Sequence, residues 1–343
     1  MRASNGIPYL RRSAQSLPQN TPDLLKRLEY AKGINTFEAE LINAEKESIT
    51  ESTTIKTFIE QVMPSTTPEP WLKKQGLLRD ERPTVGGAIL FADEPQALIP
   101  KHCGVKIYRY KTKEAVGFRD ALEFTPKTVE GCLYHQIKDS VKLAIDIVES
   151  IPKMGDKALE KVTYPPQTLH EIITNALIHR DYSIADDVHI RIFDDRIEVQ
   201  SPGRLPAHIT VNNILYERFA RNGAVVRMLN KFPNPPNQDV GEGIKTAIDA
   251  MHKLGLKEPK FFERDNNVLV VIRHEPLASP EEAIMDYLEN HPSINNSEAR
   301  AVTHVKADYQ MKGIFKRMED AKIIEQIPGT RTSNTRYRKP GQQ

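Results

Sequence analysis

Across residues 165–199 the spacing of apolar residues changes period, and this change limits the possible folds more than any other feature of the chain. In PPQTLHEIITNALIHRDY, Leu169, Ile172, Ile173, Ala176 and Leu177 form one stripe of a helix that opens behind prolines suited to a first turn. In VHIRIFDDRIEV the period falls to two on either side of Asp194-Asp195, which predicts a β-hairpin turning at the aspartates. VLVVI (268–272), apolar throughout, predicts a further strand. A helix with one apolar stripe and a sheet with one apolar face bury both by packing together. The expected fold class is therefore α+β, a helix layer on an antiparallel sheet.

The flanking sequence divides at prolines and polar runs. Residues 35–75 carry short helical patterns, polar runs such as EKESITESTT, and the proline cluster STTPEPW (65–71), expected to break any helix and act as a linker. VGGAILFA (85–92) and VKIYRYK (105–111) have the content of strands, and EGCLYHQIKDSVKLAIDIVES (130–150) repeats apolar residues at helical spacing. Beyond Pro276 and Pro280, PEEAIMDYLENHP, NSEARAVTH and ADYQMKGIFKRMEDAKIIE predict three helices, and QIPGTRTSNTRYRKP a strand, loop and strand. The expected divisions are 1–75, an opening strand with a helical linker; 76–152, a small α/β connecting unit; 153–277, the helix-and-sheet domain; and 278–343, a C-terminal module.

Composition excludes several classes. No stretch approaches the roughly 20 apolar residues of a membrane span, and MRASNGIPYLRR lacks the apolar core of a signal peptide, so a soluble protein of the cytoplasm with no membrane partner is expected. Cys103 and Cys132 have no partner at zinc or dithiol spacing and are expected as buried, reduced thiols. The net charge of +2 is too small to argue for nucleic acid, so that case rests on local clusters.

Glu171 and Asn175 stand four residues apart on the polar face of the predicted helix and project into the same space. A carboxylate can orient or deprotonate water, and a carboxamide oxygen can ligate a magnesium ion that carries phosphate oxygens, a division suited to ATP hydrolysis. The same pair is also what an ordinary exposed helix carries. Downstream, SPGRLP (201–206) ends the hairpin and GEGI (241–244) opens a helix; Gly241 and Gly243 permit close backbone approach to phosphates at a helix N-terminus, or form a plain loop-to-helix turn. His179, Arg180 and Asp181 suit a basic helix end with a capping aspartate, or an arginine that reaches phosphate.

In this order EIITNALIHRDY, DRIEVQSPGRLP, RNGAVVRML and DVGEGI, over about residues 150–275, resemble the ATPase-like domain of bacterial Schlafen/AlbA-associated transcriptional regulators, a domain similar to the GHKL fold of gyrase and histidine kinases. The resemblance implies a GHKL-like helix/antiparallel-sheet sandwich that binds ATP and Mg²⁺. Glu171 would be the catalytic general base, Asn175 the magnesium ligand, and Gly241 and Gly243 the glycine box beneath the phosphates. Gly203 would lie near the base, and Arg221 and Asn222 in a lid over the nucleotide. Ser201 stands where the wider superfamily has the aspartate that receives the adenine amino group; it offers a hydroxyl without the charge that strengthens such a bond. YLRRSAQSLP resembles the last strand of the AlbA-type domain that precedes this unit, most of which is missing, leaving that strand without its natural sheet.

In the C-terminal module Met311, Ile314, Phe315 and Met318 form a buried stripe and leave Tyr309, Lys312 and Lys316 exposed, as on a recognition helix. Arg331, Arg336, Arg338 and Lys339 make the following loop basic, suited to phosphate contacts on duplex DNA. The module resembles the winged-helix ends of the same regulators. The expectation is a homodimeric, nucleotide-responsive DNA-binding regulator whose turnover is slow or absent, at most a weak ATPase. A helicase-like DNA-processing ATPase is disfavoured because the chain has no GxxxxGK[ST] loop. A scaffold that binds no nucleotide and serves dimerisation is the third reading.

Overall fold

In the computed structural model the change of period becomes a helix lying on a sheet. The structure describes residues 8–341 apart from 13–14, 19–20, 32–35, 100–101, 155–158, 207, 218–219, 237–242, 275–279, 304, 306 and 331–334. The chain divides into two units, Met1–Glu275 and Pro276–Gln343.

In the first unit, Tyr9–Arg12 pairs with Gln15–Pro18 in a hairpin, so the opening strand has a partner of its own. Helices α1 (Thr53–Val62) and α2 (Pro68–Gln75) follow. The prolines of STTPEPW start α2 instead of breaking a helix: at the first helical positions the missing N–H has no bond to lose, and Trp71 and Leu72 then anchor the helix in the core. Gly76, with φ of +73°, ends it in the left-handed conformation that favours glycine.

VGGAILFA is likewise not a strand. Val85–Phe91 forms helix α3, capped by Thr84, whose hydroxyl accepts the Gly87 N–H at 3.0 Å. Every residue of α3 is buried. A short run that is apolar on all sides has no period, and burial on all sides suits helix and strand alike. Gly87 decides where it sits, because a Cβ there would overlap the Leu77 carbonyl.

The central sheet holds β1 (Val105–Arg109), β2 (Lys127–Val129), β3 (Val188–Ile192), β4 (Arg196–Pro202), β5 (Lys260–Glu263) and β6 (Asn267–Arg273), in the spatial order β5-β6-β4-β3-β1-β2. The hairpin turns at Asp194 and Asp195, pairing Ile197 with Ile192 and Val199 with Ile190. The sheet is mixed, not purely antiparallel, because β1 runs parallel to β3. Residues 105–129 thus share one sheet with the residues that follow.

Helices α4 (Leu133–Glu149), α5 (Pro166–Ile178), α6 (Gly223–Leu229) and α7 (Gly243–Lys253) belong to the same unit. α5 packs against α4, α7 and β4. Its stripe of Leu169, Ile172, Ile173 and Leu177 is buried in the same core as Val105, Ile107, Ile190, Ile197 and Val199. Each such side chain contributes about 1.5–3 kcal/mol on burial, so α5 is held firmly with its other face turned away from the core. Cys103 and Cys132 are free and buried, and burial pushes the Cys103 thiol up to about 11. Among the described residues no helix is long and apolar enough to cross a membrane.

The second unit runs α8 (Pro280–Asn290), β7 (Ile294–Asn295), α9 (Asn296–Thr303), α10 (Asp308–Asp320), β8 (Glu325–Gln326) and β9 (Arg336–Arg338), with strand order β7-β9-β8. Asn295 and Glu298 cap α9 reciprocally: the Asn295 side chain accepts the Glu298 N–H at 2.8 Å, and the Glu298 carboxylate accepts the Asn295 N–H at 2.9 Å. Met311, Ile314, Phe315 and Met318 of α10 join Ile284, Leu288 and Ile324 in a separate core, where Tyr337 stacks on Phe315 at 4.2 Å.

Candidate nucleotide site

The polar face of α5 opens on a cavity of about 910 Å³, bounded also by β4, β6, the start of α7 and parts of the segment 203–220. That volume lies within the roughly 300–1,000 Å³ of small-molecule sites. One wall is apolar, with Ile172, Ala176, Val199, Val268 and Val270. Glu171, Asn175, Ser201, Gly203 and Gly243 line the same space, so residues from three separated words of the sequence meet there.

The Asn175 amide donates to Glu171 Oε1 at 2.7 Å. This fixes both groups and turns the carboxamide so that its oxygen has no hydrogen bond from the described residues. Gly243 starts α7 directly against this pair: a Cβ there would overlap the Glu171 carboxylate. The glycine therefore permits a close approach of α7 to α5, a contact that Thr168 reinforces by donating to the Ala247 carbonyl at 2.9 Å. Among the described residues no three acidic, His or Cys side chains are grouped to hold a metal ion. A cation beside Asn175 would share its coordination with oxygens of the ligand, the usual arrangement for magnesium.

Ser201 donates to the Ala176 carbonyl at 2.6 Å and so ties β4 to α5, with its lone pairs left to accept. Gly203 has φ of +99° and lies so close to Asp181 that a Cβ would collide with it. The Asp181 N–H in turn donates to the Pro202 carbonyl at 2.8 Å.

Arg221 and Asn222 stand behind the cavity and are not among the residues that line it. Arg221 pairs with Asp181 at 3.2 Å and donates to the Arg204 carbonyl; burial lowers its pKa, with Asp181 acting against that. Asn222, 2% exposed, donates to the Ile178 carbonyl at 2.7 Å and the Arg180 carbonyl at 3.0 Å. Both residues brace the end of α5 and the SPG turn. Glu38 braces α6 from the other side, accepting the Ala224 and Val225 N–H groups at 3.0 and 2.9 Å.

Arg180 does not reach toward a phosphate. It is 1% exposed and donates to the carbonyls of His102 and Asp186, with its guanidinium over the Tyr182 ring. Gly241 lies outside the described residues. Lys245 and Thr246 also line the cavity, and their position directly after GEGI was the only sequence signal for them.

In the second unit Tyr309 is 75% exposed, and Lys312 and Lys316 are exposed on α10. Lys312 pairs with Asp308 at 2.7 Å, Arg336 with Glu298 at 2.8 Å, Arg338 with Glu325 at 2.8 Å, and Lys339 with Glu289. Arg336 and Arg338 flank Tyr337 on β9 and project to the face opposite it. The exposed Lys312–Asp308 pair is worth about 0–1 kcal/mol and can be exchanged for another anion, whereas the Arg336 and Arg338 pairs are partly buried. Arg331 lies outside the described residues.

Residues 185–272 match the family described as "Putative ATP-dependent DNA helicase recG C-terminal". The match begins after α5 and takes in β3, β4, the SPG turn, the start of α7 and β6. With it, the mixed α+β architecture defines an ATPase-like domain, consistent with the GHKL-like fold. In structure the chain is similar to the crystal structure of the DIP2311 protein from Corynebacterium diphtheriae, over 97% of this chain and 70% of that one, with a TM-score of 0.55 at 16% identity. That likeness is one of fold alone. No curated protein matches the chain.

Proposed function

We propose that this protein is a nucleotide-responsive transcriptional regulator of the bacterial Schlafen/AlbA-associated type, in which Mg²⁺·ATP bound in the α5–α7 cavity alters DNA binding by the C-terminal unit. The observation that carries the proposal is the convergence of Glu171 and Asn175 of α5 on one cavity with Ser201, Gly203 and Gly243, which lie in the stretch that matches the ATPase-like family.

The residues divide the work by chemistry. The carboxamide oxygen of Asn175 is a neutral, hard ligand for Mg²⁺. When bound, the ion neutralises phosphate charge and orients the phosphates. The Glu171 carboxylate, held by the Asn175 amide, is positioned to orient or deprotonate water. The N–H groups at the start of α7 favour phosphate, and the apolar wall suits a base. Gly241 would extend the phosphate cradle, and Ser201, with no carboxylate in its place, would leave adenine weakly selected. Arg221 and Asn222 would act by bracing α5 instead of touching the nucleotide.

The C-terminal unit follows the helix, strand, helix, helix, strand, strand order of a winged helix. In that reading α10 enters the major groove with Tyr309, Lys312 and Lys316, while Arg336, Arg338, Lys339 and Arg331 contact phosphates. The regulator would act as a homodimer in the cytoplasm. The family description includes a helicase, but no GxxxxGK[ST] loop is present to support strand-separating work.

The test is a pair of duplex-DNA titrations on the full chain, with and without Mg²⁺·ATP. A coupling of about 1–3 kcal/mol should shift the DNA affinity about 5–150-fold. Superimposable curves from a protein that binds both ligands would refute the regulatory link.

A further inference from the structure

The cavity contains one cation to which neither the resemblance nor the comparisons give a role. Lys245 lies in the first turn of α7, two residues beyond the glycine that rests on Glu171, and it lines the cavity. Its ammonium stands 5.2 Å from the centroid of the Tyr216 ring. Tyr216 is 74% exposed, and its neighbours Ile214, Leu215 and Glu217 line the same cavity. The Lys245–Tyr216 contact therefore links α7 to the segment 214–217 at the cavity's edge.

The other lysine or arginine lining the cavity is Arg204, and it is already committed. It pairs with Glu263 at 3.1 Å, and the same carboxylate oxygen accepts the Leu205 N–H at 3.1 Å. Among the described residues Lys245 has no carboxylate partner; its ammonium faces the Tyr216 ring. At an exposed site such a cation–π contact shifts an equilibrium only about two- to fivefold. A phosphate oxygen offers full negative charge and a charge-assisted hydrogen bond, so it would displace the ring.

We propose that Lys245 recognises the distal phosphates of the nucleotide, and that the Tyr216 ring is a clasp that competes with those phosphates for its ammonium. The site would then distinguish a triphosphate from a monophosphate by charge, and release would free the segment 214–217 from α7. This rests on the reading of the cavity as a nucleotide site.

The experiment measures the affinities of the full chain for Mg²⁺·ATP and for AMP in three proteins: wild type, Lys245→Met and Tyr216→Leu. Both side chains are exposed, so their melting curves should match the wild type. Lys245→Met should weaken ATP about tenfold or more and leave AMP unchanged, collapsing the ratio between them. Tyr216→Leu should tighten ATP about two- to fivefold, because the ring contact that competes with phosphate is gone. Lys245→Met that binds ATP like the wild type, or loses ATP and AMP equally, overturns the phosphate role. Tyr216→Leu that binds ATP more weakly overturns the clasp, since the ring would then be a ligand contact. A wild type that binds neither nucleotide defeats the nucleotide reading itself, a different outcome from either.

Discussion

Replacing Asn222 by alanine separates a residue that braces the site from one that touches the ligand. Its amide nitrogen serves the carbonyls of Ile178 and Arg180, at 2.7 and 3.0 Å, in a position that is 2% exposed. Alanine removes both donors and leaves two acceptors in the interior, each costing about 1–3 kcal/mol. Some of that returns through the side-chain entropy no longer lost and the amide no longer desolvated, leaving about 3 kcal/mol. At about 2–4 °C per kcal/mol for a unit of this order of size, the melting temperature should fall by roughly 10 °C. Asn222→Asp should be worse, because a carboxylate would face two carbonyl oxygens. The assay is thermal unfolding of the full chain by circular dichroism, followed by ATP titration well below the transition. Moderate loss of affinity with large loss of stability is the expected pattern. An Asn222→Ala protein that melts like the wild type but no longer binds nucleotide would refute the bracing role and return Asn222 to a lid over the ligand.

Two further outcomes follow from the geometry. Glu171→Ala should reduce any ATP turnover about 10²–10⁴-fold while ATP still binds, since Asn175 and the start of α7 remain; equal loss of binding and turnover would mean that Glu171 holds the ligand instead of activating water. Burial raises the carboxyl pKa of Glu38 above its ordinary 4.5, against the pull of the Ala224 and Val225 N–H groups. The folded state therefore keeps this proton to higher pH than the unfolded chain, and stability falls as pH rises through the window from about 4.5 to the raised value. Glu38→Gln should lack that component, so melting curves of the two proteins that run parallel from pH ~4 to ~7 would contradict it.

The features legible in the sequence were those with local causes. The stripe of α5, the hairpin turning at Asp194 and Asp195 and the apolar side of α10 each follow from a period within a dozen residues or so. VGGAILFA and STTPEPW misled for equally local reasons: the first has no polar face to show its period, and the second has prolines whose meaning depends on whether a helix starts or continues. The parallel pairing of β1 with β3 joins residues about 80 positions apart, and no pattern in either strand names its partner. In the site, Glu171, Asn175 and Gly243 were legible by type and order. The burial of Arg180 and the inward amide of Asn222 were not, because the chemistry of a side chain does not reveal which carbonyls surround it. Lys245 was hidden by its ordinariness, and only its place at the cavity edge distinguishes it from other lysines.

The central claim is that Asn175 and its neighbours hold Mg²⁺·ATP, and isothermal titration of the full chain with ATP, with and without Mg²⁺, tests it most directly. Wild type should bind one nucleotide per chain more tightly with the metal than without. Asn175→Ala should lose that metal-dependent gain and retain the metal-free affinity, because the apolar wall and the start of α7 are untouched. Binding at a hundred times the Kd would also stabilise the fold by about 2.7 kcal/mol, a shift visible in the same samples. A wild type that gives no heat and no thermal shift at millimolar Mg²⁺·ATP would contradict the claim and leave the domain as a scaffold.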